Sequence, residues 1–524
     1  MSATIHRQPP AYALLGIFLL CGGVLLPLAY LLVRAFEADS GELREIVFRS
    51  RNLELLSNTL SLTAGVLAVS VVAAFPLAWF TARRNIAGER FIAAAGVLPL
   101  AIPPYLMAYA LLGLGGNYGA VAQLSDRAWS FPILSGYWGA VLVLALCNFP
   151  YLFLNFRSAL MNIDPALEEM AYSLGSSKRR VLMRVIVPQL RPALLSGGLL
   201  VGLHVLSDFA VSSQMRYDTF SLAIFTQYNS AFDRTYAAWL ALALLLMTFA
   251  ALFVEARALR GLRLDRAGTI IPRRRAARGF SAITVAAFGF TALVVSASVG
   301  APLFSILFWA TKTDMAGQWP ALFESLRGSA LASMPAAVAA TTLAVPVVYL
   351  GIRRPSWMTR MLERTLYIGY ATPALAFALG LVFFSIRVTP ALYQTFFLLV
   401  YAYTMRYIAE AVGPLRSTLY QASPRVEEAA RSLGAGSAAA FFRVTLPLLK
   451  NSMLTATAFV FLSCMKDLPL TIILSPPGYQ TLAVDLWGNI EEAMLPEAAP
   501  YALAIVACSA LFVGLLLSRE KSHS

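Results

Sequence analysis

The sequence predicts an all-α integral membrane protein of about twelve spans in two parallel six-helix repeats, and three observations carry that reading. The chain is 59% hydrophobic with only 13% charged residues, where a soluble domain carries roughly a quarter. Uncharged runs such as Ala11 to Val33 and Ala237 to Val254 approach or exceed the roughly 20 residues that cross a hydrocarbon core. A segment of the first half also returns in the second at a constant spacing.

The first apolar run reads as a retained anchor. It is too long for a signal-peptide core, its basic flank is only His6 and Arg7, and no small-residue cleavage pattern follows. Arg83, Arg84 and Arg90 follow the second span, Lys178, Arg179, Arg180 and Arg184 follow the fourth, and an Arg-rich stretch follows the sixth. The intervening loops are mixed or acidic: Glu37, Asp39 and Glu42, then Asp218 and Asp233, and finally Glu491, Glu492 and Glu497. By the positive-inside pattern the basic loops face the cytoplasm, which places both termini there. The net charge of +14 therefore reports topology and not nucleic-acid binding.

Residues 257–279 carry six arginines between Arg260 and Arg275, with Pro272 and almost no apolar periodicity. They read as a cytoplasmic linker that fixes topology and meets anionic headgroups. It joins a first half, 1–256, to a second, 280–524. Cys21, Cys147, Cys464 and Cys508 lie in or beside apolar runs without C-x-x-C or His spacing, so they read as packing residues.

Asp164-Pro165-Ala166-Leu167-Glu168-Glu169-Met170-Ala171-Tyr172-Ser173-Leu174-Gly175 returns as Ser423-Pro424-Arg425-Val426-Glu427-Glu428-Ala429-Ala430-Arg431-Ser432-Leu433-Gly434, 259 positions on. The Arg184 to Pro188 stretch returns as Arg443 to Pro447 at the same offset. Pro76 and Arg83-Arg84 match Pro346 and Arg353-Arg354 at an offset of 270, so the first half holds 11 extra residues between these landmarks. The outward loop from Gly115 to Ser135 accommodates them. An even number of spans in each half makes the repeat parallel, related by an axis along the membrane normal.

In each copy a short polar residue precedes proline at the first helical position, and two glutamates follow in the first turns, a strong helix start. Gly175 and Gly434 stop that helix, and an amphipathic stretch runs on to Pro188 and Pro447. The product is a helical elbow, 164–188 and 423–447, with little to bury against within its own half. It can fill a groove on a cytoplasmic partner, and glycine at the bend leaves room for another backbone.

These two segments resemble the EAA loop of binding-protein-dependent ABC importer permeases, in which E-A-A-x-x-x-G is closed by an apolar-Leu-Pro. Glu428-Ala429-Ala430 with Gly434 and Leu446-Pro447 matches throughout; Glu169-Met170-Ala171 with Gly175 and Val187-Pro188 departs at Met170 and Val187. The resemblance implies that Glu168, Glu169, Ala171, Gly175 and Pro188, and Glu427, Glu428, Ala429, Ala430, Gly434 and Pro447, couple the spans to a nucleotide-binding subunit. It implies two copies of a cytoplasmic ATPase, a periplasmic solute-binding protein, a lipid bilayer and a bacterial inner-membrane location. ATP and magnesium would belong to the ATPase and no cofactor to this chain, which has no GxxxxGK[ST] loop and no hydrolase, zincin or kinase signature. Lys178-Arg179-Arg180 against Ser437-Ala438-Ala439-Ala440 makes the two contacts unequal.

Beyond the elbows the chain resembles ferric iron permeases of this superfamily. Leu98-Pro99-Leu100-Ala101-Ile102-Pro103, Leu206-Ser207-Asp208-Phe209 and Met465-Lys466-Asp467-Leu468-Pro469, followed by Tyr479-Gln480-Thr481-Leu482-Ala483, carry that resemblance. Thiamine and other small-solute permeases share parts of it, and a secondary transporter can also have twelve spans in two repeats. Asp208 and Asp467 are again 259 apart, and ionisable groups inside spans usually serve a function. Two readings stand: the aspartates line the route of a hard cation, with Lys466 neighbouring one of them, or they cap and tether helices. His204, one turn before Asp208, reads as a pore-lining or packed histidine. Tyr217 and Tyr479 read either as the outer mouth where cargo is delivered or as interfacial anchors.

Overall fold

A computed structural model describes residues 11–37, 40–83, 86, 88–230, 233–260 and 282–521, with helices and no strands among them. The Arg-rich linker falls almost wholly outside the described residues. Among the described residues seven helices are long and apolar enough to cross a membrane, and three further pairs of helices, each sharply bent at a short break, are so when taken together. The Phe396–Gln421 helix equals Gly136–Met161 in length, at 26 residues. Arg406 and Glu410 lower its hydropathy, which is why it stands apart from the other spans. Leu495–Lys521, apolar from Leu495 to Leu511, is another long helix, and about twelve spans is consistent with this set.

Proline sets the sharpest breaks. Glu89–Ala101 and Pro104–Leu114 meet at 92°, and Trp357–Ala371 and Ala374–Val388 at 102°. Ile102 and Thr372, each just before a proline, are extended at ψ 114° and 131°. Proline drives its predecessor out of the helical region and supplies no N–H. The freed backbone is tolerated at span depth because it is buried: Ile102 and Thr372 are both enclosed by protein.

The chain divides into two compact units. One comprises Met1–Arg44, Asp233–Leu242 and Asp314–Ser524; the other comprises Glu45–Phe232 and Ala243–Thr313. Each unit thus takes the first span of the other repeat, so repeat and compact unit partition the chain differently. In the first, the Ala11–Ala35 helix packs on Trp357–Ala371 and Ala374–Val388. Gly380 lies so near the Pro27 carbonyl that a Cβ there would come to 2.1 Å, and Tyr401 donates to the Gly23 carbonyl at 2.9 Å. In the second unit the Ala301–Ala310 helix packs on Pro104–Leu114, where Trp309 Nε1 donates to the Gly113 carbonyl at 3.0 Å. Small residues let helices approach closely where lipid offers no hydrophobic drive.

Within each unit a long helix lies along the span that enters the elbow. Ser50–Arg83 packs on Gly136–Met161, and Met315–Arg353 on Phe396–Gln421. The latter long helix buries Ala332, Ser333, Ala336, Ala337, Ala340 and Ala344. Arg83 and Arg353 end these long helices beside the elbows.

Candidate functional site

Both elbows are built from local signals. Ala166 N donates to Asp164 Oδ1 at 2.9 Å and Arg425 N to Ser423 Oγ at 3.4 Å, with Pro165 and Pro424 opening nine-residue helices. Each helix closes on a left-handed glycine, Gly175 at φ 77° and Gly434 at φ 90°. The next residues reach back, Ser176 N to the Ala171 carbonyl at 3.0 Å and Ala435 N to Ala430 at 3.1 Å. The glycine N–H groups meet Tyr172 and Arg431. This six-to-one plus five-to-two pairing satisfies carbonyls that would otherwise be orphaned.

The second arms each contain a π-turn, Leu182–Ile186 and Phe441–Thr445, just before Pro188 and Pro447. A proline ring collides with the carbonyl four residues back, and widening the turn relieves that clash. The arms then differ. Pro192 breaks the ladder after the first elbow, and its arm meets Arg191–Ser207 at 57°. Asn451 stands at the repeat-equivalent place, and Ser437–Met465 is one continuous span.

Of each glutamate pair, one faces inward. Glu168 pairs with Arg83. Glu427 accepts from Arg353 Nε at 3.2 Å, Tyr349 Oη at 3.0 Å and Thr445 Oγ1 at 2.9 Å, and Arg431 approaches to 3.7 Å. Arg353 Nη2 also donates to the Ala422 carbonyl at 2.9 Å. The elbow root is therefore clamped to the end of the long helix in each repeat, more elaborately in the second.

The other face is open. Glu169, Glu428 and Ala429 are exposed, Ala171 and Ala430 half-buried. Leu174 and Leu433, at the bends, are 86% and 89% exposed, the most exposed large apolar side chains among the described residues. Met170, Tyr172, Lys178, Arg179 and Arg180 are also exposed on the first elbow, and Val426 and Phe442 on the second. Apolar tips of this kind mark an interaction surface.

The mid-span candidates fall into caps and clusters. Asp208 Oδ1 accepts from Val211 N at 2.8 Å, and Asp467 Oδ1 from Leu470 N at 2.7 Å. Both carboxylates thus cap the short helices that follow, Ala210–Gln214 and Pro469–Leu474. Asp467 also accepts from Tyr407 Oη at 2.5 Å and is buried. The charges of Lys466 and Glu410 attract each other. Glu410 accepts from Ser463 Oγ at 2.7 Å and from Tyr370. Arg406 donates to the Thr372 carbonyl at the helix break.

His204 Nε2 lies 3.2 Å from Tyr151 Oη, their rings stacked at 4.7 Å, and Nδ1 lies 2.8 Å from the Leu200 carbonyl. That carbonyl only accepts, so in the neutral ring Nδ1 carries the proton and Nε2 accepts from the tyrosine. Tyr217 and Tyr479 are staples. Tyr217 Oη reaches Ser61 Oγ at 3.0 Å and donates to the Asn58 carbonyl at 3.4 Å; Tyr479 donates to the Gly328 carbonyl at 2.7 Å. Among the described residues no three His, Cys, Asp or Glu side chains gather as a metal site.

Sequence reasoning missed Arg406 and Glu410, although two charges inside one apolar run were a usable signal. It also missed the arginine clamps and Tyr349, whose role depends on packing.

Helical spans in a two-fold repeat, each with a capped elbow bearing an exposed apolar tip, define a multi-pass membrane permease driven through a partner. The chain belongs to the family of binding-protein-dependent transport system inner membrane components, whose family model matches residues 74–263 and 338–519. It is 32% identical over 521 residues to the Fe(3+)-transport system permease protein FbpB 2 of Haemophilus influenzae, covering 97% of this chain and 98% of that one. It is 22% identical to the ferric transport system permease protein FbpB of Actinobacillus pleuropneumoniae, over 87% of this chain and 69% of that one. The molybdenum transport system permease protein ModB of Haemophilus influenzae is 32% identical over 162 residues, 30% of this chain and 71% of its own. The chain is thus an ABC importer permease of the inner membrane; its relatives are permease subunits and not enzymes.

Proposed function

We propose that this permease carries ferric iron, delivered by a periplasmic binding protein, into the cytoplasm. The observation that supports this most is the likeness to an Fe(3+)-transport permease over almost the whole length of both chains. The molybdenum relative matches 162 residues, 30% of this chain.

In this reading ATP and magnesium are bound by a separate ATPase, present in two copies, one at each elbow, and this chain holds no cofactor. Both termini and both elbows lie on the cytoplasmic side, and residues 257–279 join the halves 1–256 and 280–524 across it. Leu174 and Leu433 enter the ATPase grooves beside Glu169, Ala171 and Gly175, and Glu428, Ala429, Ala430 and Gly434. The inward Glu168 and Glu427 pass the groove's movement to Arg83 and Arg353, with Pro188 and Pro447 at the exit to the next span.

The test is reconstitution of the permease with its ATPase and binding protein, reading uptake of radiolabelled ferric iron. Uptake should require ATP and survive collapse of the proton gradient. Leu174→Asp with Leu433→Asp should abolish ATPase co-purification without loss of folded permease. Transport of thiamine or molybdate in place of iron, or uptake that follows the proton gradient, would overturn the reading.

A further inference from the structure

A row of polar side chains crosses the second repeat at mid-span. Glu410 lies 14 residues into Phe396–Gln421, roughly 20 Å along it at about 1.5 Å per residue. Glu410, Tyr370, Tyr407, Ser463 and Lys466 are half-buried, whereas Arg406, Tyr403 and Asp467 are buried. The buried members are committed to structure: Arg406 to the Thr372 carbonyl, Asp467 to the Leu470 N–H and Tyr407, Tyr403 to Thr471 at 2.5 Å. Glu410 is held instead by half-buried side chains, Ser463, Tyr370 and the charge of Lys466.

The first repeat provides the control. At 259 residues' remove, Tyr151 stands for Glu410, His204 for Ser463, Ser207 for Lys466 and Cys147 for Arg406. Tyr151 and His204 make the same helix-to-helix contact at 3.2 Å without a fixed charge. Pinning the two helices therefore needs no carboxylate and no ammonium. A carboxylate and an ammonium at span depth are costly and usually face water or a partner, so their presence in one repeat alone calls for another cause.

Resting on the ferric reading above, we propose that Glu410 is the carboxylate that the transported ferric ion meets in the second repeat, with Lys466 and Ser463 holding it between passages. Carboxylate oxygen suits a hard cation. The Lys466 ammonium competes for the same carboxylate and repels the ion, which keeps the contact transient, as transit requires.

The test uses the whole complex, permease with ATPase and binding protein, in proteoliposomes with radiolabelled ferric iron. Glu410→Gln should lower uptake at least tenfold while ATP hydrolysis and thermal stability stay within twofold, and Glu410→Asp should recover part of the uptake. Lys466→Met should retain iron on the complex through gel filtration where the wild type releases it. Wild-type uptake by Glu410→Gln overturns the proposal, as does parallel loss of uptake, hydrolysis and stability in both Glu410 variants. If those variants fail to assemble, iron retention by Lys466→Met decides, and retention no greater than wild type overturns it. A wild-type complex that moves no iron overturns the ferric reading, and this proposal with it.

Discussion

Replacing Glu427 by alanine should loosen the second elbow far more than Glu168→Ala loosens the first. Glu427's side chain is 9% exposed and accepts from Arg353, Tyr349 and Thr445. Its removal leaves a guanidinium and two hydroxyls without their acceptor. Breaking a buried charge pair costs about 3–5 kcal/mol, and the lower figure alone is roughly a hundredfold in a local opening equilibrium. Glu168 is 20% exposed and pairs with Arg83, while Trp79 and Ile186 occupy the places of Tyr349 and Thr445. No hydroxyl loses an acceptor there and the carboxylate is the more exposed of the two, so the loss is about 1–1.5 kcal/mol, near tenfold. Hydrogen exchange on the purified permease reads both elbows at once. Protection over 424–447 should fall about a hundredfold in Glu427→Ala with 165–188 unchanged, and over 165–188 about tenfold in Glu168→Ala. Tyr349→Phe, removing one hydrogen bond to the carboxylate, should fall between them at 424–447. Equal losses at the two elbows, or no loss at 424–447, would refute the idea that the inward glutamate carries the clamp.

Two further outcomes follow from the same geometry. Gly434 sits at φ 90° with nothing within 4 Å of an added Cβ, so Gly434→Ala should cost about 1–2 kcal/mol of elbow stability from the backbone alone. That should appear as lost exchange protection in the helix 424–432 with no change in the spans. Asp208→Ala and Asp467→Ala should each lose a helix cap, about 0.5–2 kcal/mol, and Asp467→Ala more because Tyr407 loses its acceptor. Asp208→Asn keeps an acceptor oxygen and should recover most of the thermal stability; an Asn variant as unstable as Ala would remove the cap as the explanation.

The elbows were legible in the sequence because everything that shapes them is local. A polar cap, a proline at the first helical position and a glycine at the bend act over a dozen residues, and their recurrence 259 positions on repeats the same local physics. Asp208 and Asp467 recur at the same spacing, yet that spacing alone could not separate a lining role from a capping one. The structure shows the capping bonds because the next helix starts two residues on in both repeats, which puts a free N–H three residues beyond each aspartate. Glu410 was opaque for the opposite reason. Its partners Ser463 and Lys466 lie on another helix, more than fifty positions away, and only packing brings them together. The exchange of first spans was equally hidden, since Gly380 and Gly113 gain meaning only when Pro27 and Trp309 lie against them.

The two repeats differ at places that matter to the elbows and the mid-span. The elbow root has Tyr349 and Thr445 in one repeat and Trp79 and Ile186 in the other; the arm beyond it has Asn451 or Pro192. The mid-span contact is Glu410 with Ser463 or Tyr151 with His204. Caps, bends and tyrosine staples are kept in both. In an assembly of two identical chains, a charge at mid-span would be present twice or not at all, and a trivalent ion would meet two carboxylates or none. Fusion removes that constraint. One repeat can hold a carboxylate with an ammonium near it while the other makes the same helix-to-helix contact with neutral rings.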